Sequence, residues 1–269
     1  MLLLTSPTRT LYPRCFLFVL ALTFTAHLAA QRVPPVPMLP RADQPCCNDI
    51  WNHDVWPDDQ ALAPQAASGP VNGTVSVTRL QHPIPAKAVA EFARANREAR
   101  KGRIQECVKH LEKAVQIAPS YMEAHNNLGV RYLMLGEYER GAQEFETALK
   151  LDASSLFPHT NLSLVRFMLT QYAEAEASAR AALRLDAKFT RAQYLLGLTL
   201  AAEGKGAAEA IDHLDKAAAE FPRARLVAAE ILTQQGASAG AVEKLRAYLT
   251  LPDAASRNEV ESWLARLER

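Results

Sequence analysis

The chain has 269 residues, 49% of them apolar, with 30 basic against 29 acidic side chains. That is length for one large domain or two small ones, and apolar content for a sizeable core. The balanced charge, with no helix carrying a Lys/Arg stripe, excludes the electrostatic footprint of a nucleic-acid binder.

The N-terminus differs in composition from the rest. Arg9 and Arg14 precede an uncharged, mostly apolar run from Cys15 to Ala26, and Ala29 and Ala30 follow. A basic start, a short apolar core and a small-residue exit predict a signal peptide over 1–30, cleaved after Ala30. The alternative is an uncleaved membrane anchor over 11–30, although the run is short beside the roughly 20 residues that a span requires. Cleavage would remove two of the 30 basic residues, leaving 28 against 29 acidic, a net charge of −1. It would also leave only Cys46, Cys47 and Cys107, too few for a disulfide scaffold.

Residues 31–85 hold ten of the sixteen prolines. Proline removes a backbone donor and blocks regular helix, so this stretch reads as a largely unstructured tether. Val71–Thr78 alternates enough for one short strand, and Asn72-Gly-Thr74 fits a glycosylation acceptor. Cys46-Cys47 with Trp51, His53 and Trp56 is its compact oddity. Metal capture, disulfide-linked dimerisation, a docking motif or a plain spacer all stay open there, since adjacent cysteines have no recognised metal or haem spacing.

From residue 86 the chain keeps time. His125, Asn127 and Leu128 recur as His159, Asn161 and Leu162, Tyr138 as Tyr172, and Leu151-Asp152 as Leu185-Asp186, each 34 residues on. Leu128, Tyr132 and Leu135 mark one helical face before a turn at Gly136; Tyr138, Phe145, Ala148 and Leu149 mark a second helix. Small residues at Gly129 and Ala148 let the two helices approach. One such hairpin cannot bury its apolar faces alone, so copies must stack. Units fall near 88–121, 122–155, 156–189, 190–222 and 223–252, with a capping helix over 254–269. The fourth unit carries one extra residue at Gly204-Lys-Gly206, and the junction before the fifth is shortened.

With Leu128-Gly129, Tyr132, Gly136, Tyr138, Phe145 and Ala148 in place, the chain resembles the tetratricopeptide repeat (TPR) family. The resemblance implies an all-α, right-handed superhelix of about five repeats over residues 86–269. It further implies that the first helix of each unit lines a concave groove for an extended peptide or a partner helix. The face opposite the core contacts selects Glu123, Asn126, Asn127, Val130 and Met134, then Phe157, Thr160, Asn161, Leu164 and Met168, then Arg191, Tyr194, Leu195, Leu198 and Ala202. Asn127 and Asn161 fall where the family commonly carries groove-facing Asn, and a primary amide can pair with a passing backbone. Phe92 and Phe157 stand where the family's carboxylate clamp needs cations, so a ligand's C-terminal carboxylate is not expected there. Phe157, Leu164, Met168 and Tyr194 favour apolar anchors.

His125 and His159 occupy the column that usually holds a packed aromatic, and no third ligand supports zinc. Cys107 sits in a small-residue column as a buried hydrophobe. No nucleophile triad, phosphate loop or HExxH helix appears. The sequence therefore predicts an exported, non-catalytic adaptor that needs no cofactor and takes a protein or peptide partner, with no nucleic acid. The alternatives are a membrane-tethered envelope assembly factor and a metal- or redox-linked accessory using Cys46-Cys47.

Overall fold

In a computed structural model that describes residues 83–252 and 257–269, the 34-residue rhythm becomes five helix pairs and one terminal helix. The expected signal segment, most of the tether, the Val71–Thr78 strand, the Asn72 acceptor and the Cys46–Trp56 stretch lie outside the described residues. The leading helices of the units are α1 (Ala86–Arg100), α3 (Met122–Met134), α5 (Leu156–Met168), α7 (Thr190–Glu203) and α9 (Ala224–Gln234). Their partners are α2 (Ile104–Ile117), α4 (Tyr138–Leu151), α6 (Tyr172–Leu185), α8 (Ala207–Ala217) and α10 (Ser238–Leu249). A terminal helix, α11 (Arg257–Leu267), packs on α10 and buries Val260 and Trp263. No strand occurs among the described residues.

Each leading helix ends by the same device. A residue one or two positions past its end takes a left-handed backbone: Gly102, Gly136, Thr170, Gly204 and Gly236 have φ of 70°, 76°, 58°, 67° and 75°. The next amide then folds back on the helix, Glu137 N–H to Tyr132 O at 2.8 Å and Gln171 N–H to Arg166 O at 2.8 Å. Arg103, Lys205 and Ala237 repeat the bond to Glu98, Leu200 and Leu232. This closure satisfies the last carbonyls of the helix and turns the chain into its partner. Four of the five positions are glycine because a Cβ is strained there. Thr170 is the exception, and a β-branched residue is the worst suited to it. Thr170→Gly should therefore raise stability by about 0.5–1 kcal/mol, read as a higher melting temperature, whereas no change would mean that the turn tolerates its threonine without strain.

The units join through Asx turns where the repeat begins again. Asp152 Oδ1 accepts from Ser154 N–H at 3.0 Å and Asp186 Oδ1 from Lys188 N–H at 2.9 Å, which explains the recurring Leu-Asp pair.

Two apolar cores run through the stack. One gathers Phe92, Ala95, Cys107, Leu111, Ala114, Leu128 and Tyr132 across the first two units. The other extends from Val130 and Phe145 through Leu164, Val165, Leu195, Leu196 and Leu214 to Phe221 and Val227. Leading helices touch one another across units, α3 with α5, α5 with α7 and α7 with α9. The partner helices reach each other through long side chains instead. Arg140 meets Glu112 at 3.2 Å, Arg180 meets Glu209 at 2.7 Å and Lys244 meets Asp215 at 2.7 Å. Close packing along one row and ion-pair reach along the other curve the stack, with the leading helices inside.

Candidate functional site

The paired histidines resolve first. Counting by the repeat, His125 and His159 share a column with Glu91 and Gln193, and the facing column on the partner helix holds His110, Glu144, Ser178 and His213. Glu91 Oε2 lies 2.7 Å from His110 Nδ1, and Glu144 Oε2 lies 2.6 Å from His125 Nδ1. Gln193 bonds His213 in the same way. Acid and imidazole exchange sides between the first two units, and an amide replaces the acid in the fourth. In the third unit Ser178 donates to Glu174 O instead.

The same column also ties down the turn before it. His125 Nε2–H donates to Pro119 O at 3.0 Å, His159 Nε2–H to Ala153 O at 2.9 Å, and Gln193 Nε2–H to Ala187 O at 2.8 Å. Each acceptor lies six residues back, in the loop between units. A carbonyl accepts only, so Nε2 carries a hydrogen in both histidines. Both nitrogens of His125 are thereby committed, one to Pro119 O and one to Glu144 Oε2. His125 is a structural fastener and has no ring nitrogen left for a substrate or a metal. Among the described residues, no group of three or more His, Cys, Asp or Glu is placed to hold a metal ion.

The groove row is divided. Asn126, Asn127, Phe157 and Arg191 are half-buried, and Met134 is 43% exposed. Val130, Thr160, Asn161, Leu164, Met168 and Tyr194 are buried, with Leu195 and Leu198, whereas the sequence placed the whole row on the open face. The physical reason is the contact between successive leading helices. Residues at that seam are enclosed by the next unit, and only those one step to the side reach the opening.

Several of the enclosed side chains are already engaged. Asn161 Nδ2–H donates to Asn126 Oδ1 at 3.0 Å, and Asn126 Nδ2–H points to Asn127 Oδ1 at 3.4 Å. The amides thus form a chain across the second and third units that leaves Asn127 as its outer end. Thr160 Oγ1 donates to Leu156 O at 3.0 Å. Tyr194 stacks on Phe221 with centroids 4.8 Å apart, and Phe157 meets Phe189 edge-on at 5.9 Å. Phe92 is buried against Tyr121. Burial pulls the Arg191 guanidinium below its ordinary range, opposed by Glu220.

The junction of the first two units holds an unexpected charge. Arg131, 5% exposed, reaches Met134 Sδ at 3.0 Å and lies beside the Cys107 thiol. Burial pushes that thiol up, with Arg131 opposing. An inert thiol is the consequence, in keeping with a small buried residue. Nearby, Tyr132 O–H donates to Glu112 Oε1 at 2.7 Å while the Arg140 guanidinium lies 3.9 Å from the centre of the ring. Burial, then Glu112, holds the phenol well above its ordinary range.

Residues 122–155 and 162–223 each match a tetratricopeptide-repeat family model. A comparison with curated proteins returns no match. Among solved structures, YrrB, described as a TPR protein with an unusual peptide-binding site, superposes with a TM-score of 0.56 at 21% identity. That match covers 68% of this chain and 95% of YrrB. MamA residues 41 to the end, from Desulfovibrio magneticus RS-1, gives 0.53 at 20% identity, covering 69% of this chain and 97% of that one. A tetratricopeptide repeat protein from Parabacteroides merdae gives 0.59 at 16% identity, covering 68% and 74%. At these identities the likeness is one of fold.

Proposed function

Because the chain carries tetratricopeptide repeats in an all-α superhelix, we propose that it is a non-catalytic adaptor that holds a protein segment along the inner row of leading helices. The observation that carries this is the contrast between the two rows. The outer helices are cross-braced by Arg140–Glu112, Arg180–Glu209 and Lys244–Asp215. The inner row offers a half-buried amide at Asn127, an aromatic edge at Phe157 and an exposed thioether at Met134. An amide for a backbone and apolar anchors beside it suit an extended peptide or an amphipathic helix. That YrrB, of the same fold, is described with a peptide-binding site supports the reading. The enclosed Asn161, Leu164 and Tyr194 then act as the wall that fixes these groups in place. The signal-like composition of residues 1–30, a basic start, an apolar run and a small-residue exit, supports an exported adaptor.

Full-length wild type and an Asn127→Arg/Met134→Arg variant would be compared as baits in extracts of the native host, after confirming equal melting. A partner held by wild type and lost by the variant is the expected result. Equal capture by both, or capture that requires Cys46 and Cys47, would move the working surface to the tether.

A further inference from the structure

The left-handed residue that closes each leading helix gives a register independent of side-chain identity. Six positions before Gly102, Gly136, Thr170, Gly204 and Gly236 stand Asn96, Val130, Leu164, Leu198 and Glu230. Val130, Leu164 and Leu198 are buried members of the core that floors the inner row. The fifth unit puts a carboxylic acid in that column, on α9.

Glu230 is 8% exposed, and its Oε2 is enclosed without any hydrogen-bond partner. The other oxygen meets only Gln234 Nε2 at 3.4 Å, long for a hydrogen bond. Glu203 Oε2 on α7 is likewise buried without a partner, but its other oxygen pairs with Lys205 at 3.2 Å, and three further glutamates of the stack are matched. Glu91 meets Arg94 and His110, Glu144 meets His125, and Glu209 meets Arg180. Burial alone pushes the Glu230 carboxyl up to about 7, with no charged neighbour contributing. A buried acid is normally paired, because its desolvation goes otherwise uncompensated. In the free chain the pair is incomplete. On α7, the groove residue nearest the end of the same row is Ala202, a half-buried side chain of one carbon.

We propose that the C-terminal end of the groove is a cation subsite in which Glu230 receives a lysine or arginine side chain of the bound protein segment. This rests on the groove reading above and names the chemistry of its occupant. A basic side chain supplies both missing elements, a counter-charge and a donor to Oε2, and its aliphatic stem suits the apolar column around it. The bound segment is then amphipathic, with apolar groups toward Phe157 and Met134 and a cation toward α9.

The test is a phage-displayed library of random decapeptides panned on the full-length protein and on its Glu230→Gln variant, which keeps shape and removes charge. Wild type should enrich peptides carrying Lys or Arg at a set distance from an apolar pair. Glu230→Gln should enrich apolar peptides without the basic position. A selected peptide should bind the variant at least about tenfold more weakly, the usual consequence of removing one partner of a buried charge pair. Its Lys→norleucine analogue should bind both proteins alike. Peptides enriched by wild type without a basic residue, or basic peptides that bind Glu230→Gln unchanged, overturn the cation subsite and leave the groove standing. Peptides that also bind the Asn127→Arg/Met134→Arg variant overturn the groove itself, and no enrichment by wild type overturns both.

Discussion

Replacing Phe145 with alanine should cost about 3–5 kcal/mol and lower the melting temperature by roughly 10 °C. Its ring is fully enclosed at the crossing of α3 and α4. The space it fills is shaped by Gly129. A Cβ at Gly129 would stand 2.7 Å from Phe145 Cε1, closer than real side-chain carbons come, and a tight 3.0 Å from Gly141 O. Gly129→Ala must therefore displace an aromatic ring with nowhere to go, at about 1–3 kcal/mol. The two sites share one volume, so their effects should couple. Gly129→Ala/Phe145→Leu should cost less than the two single changes combined. Gly197 repeats the arrangement in the fourth unit, where a Cβ would stand 2.7 Å from Leu214 Cγ. In a stack held by nearest-neighbour contacts, loss at one crossing loosens the adjoining units first. Hydrogen exchange should show α3 to α6 opening ahead of α9 and α10. A Gly129→Ala chain that melts like wild type would mean that the helices do not cross as closely as described.

The second large effect is at Glu230 and depends on pH. Its carboxyl is raised from 4.5 to about 7 in the folded chain. Between those values the folded state keeps a proton that the unfolded chain has lost. The stabilising contribution is thus fully present below pH 4.5 and is lost as pH rises through about 7. Glu230→Gln does not titrate. The variant should match wild type near pH 4.5 and exceed it by about 3 kcal/mol at pH 8. Carboxylates held low by cations or imidazole, such as Glu91 and Glu209, cancel from this difference because both chains carry them. Melting curves of the two chains at several pH values would decide it. A gap that does not vary with pH would show that Glu230 is not the titrating group. A gain in stability on removing a side chain is the expected mark of a group kept for binding.

The histidine question shows how far the sequence could be carried. His125 and His159, 34 residues apart, were visible as a packing column rather than a reactive pair. The fuller signal was also present as an exchange of residue types nineteen positions apart, Glu91 with His110 against His125 with Glu144. Ser178 interrupts the exchange in the third unit, so it does not repeat at every 34-residue step.

By itself the sequence determined the period, the pair of helices in each unit and the turns between them. These are local matters: helical spacing of apolar residues, glycine where the backbone must turn left-handed, and small residues where helices cross. Only the tertiary structure decided which half of the inner row stays open. That depends on how closely α3, α5, α7 and α9 approach one another, which is set by packing between units and has no counterpart in the spacing within any one of them. It alone singled out Glu230 too. Along the chain Glu230 is one acidic residue in an eroded repeat, and its isolation exists only once the surrounding helices have excluded water and offered no charge in return.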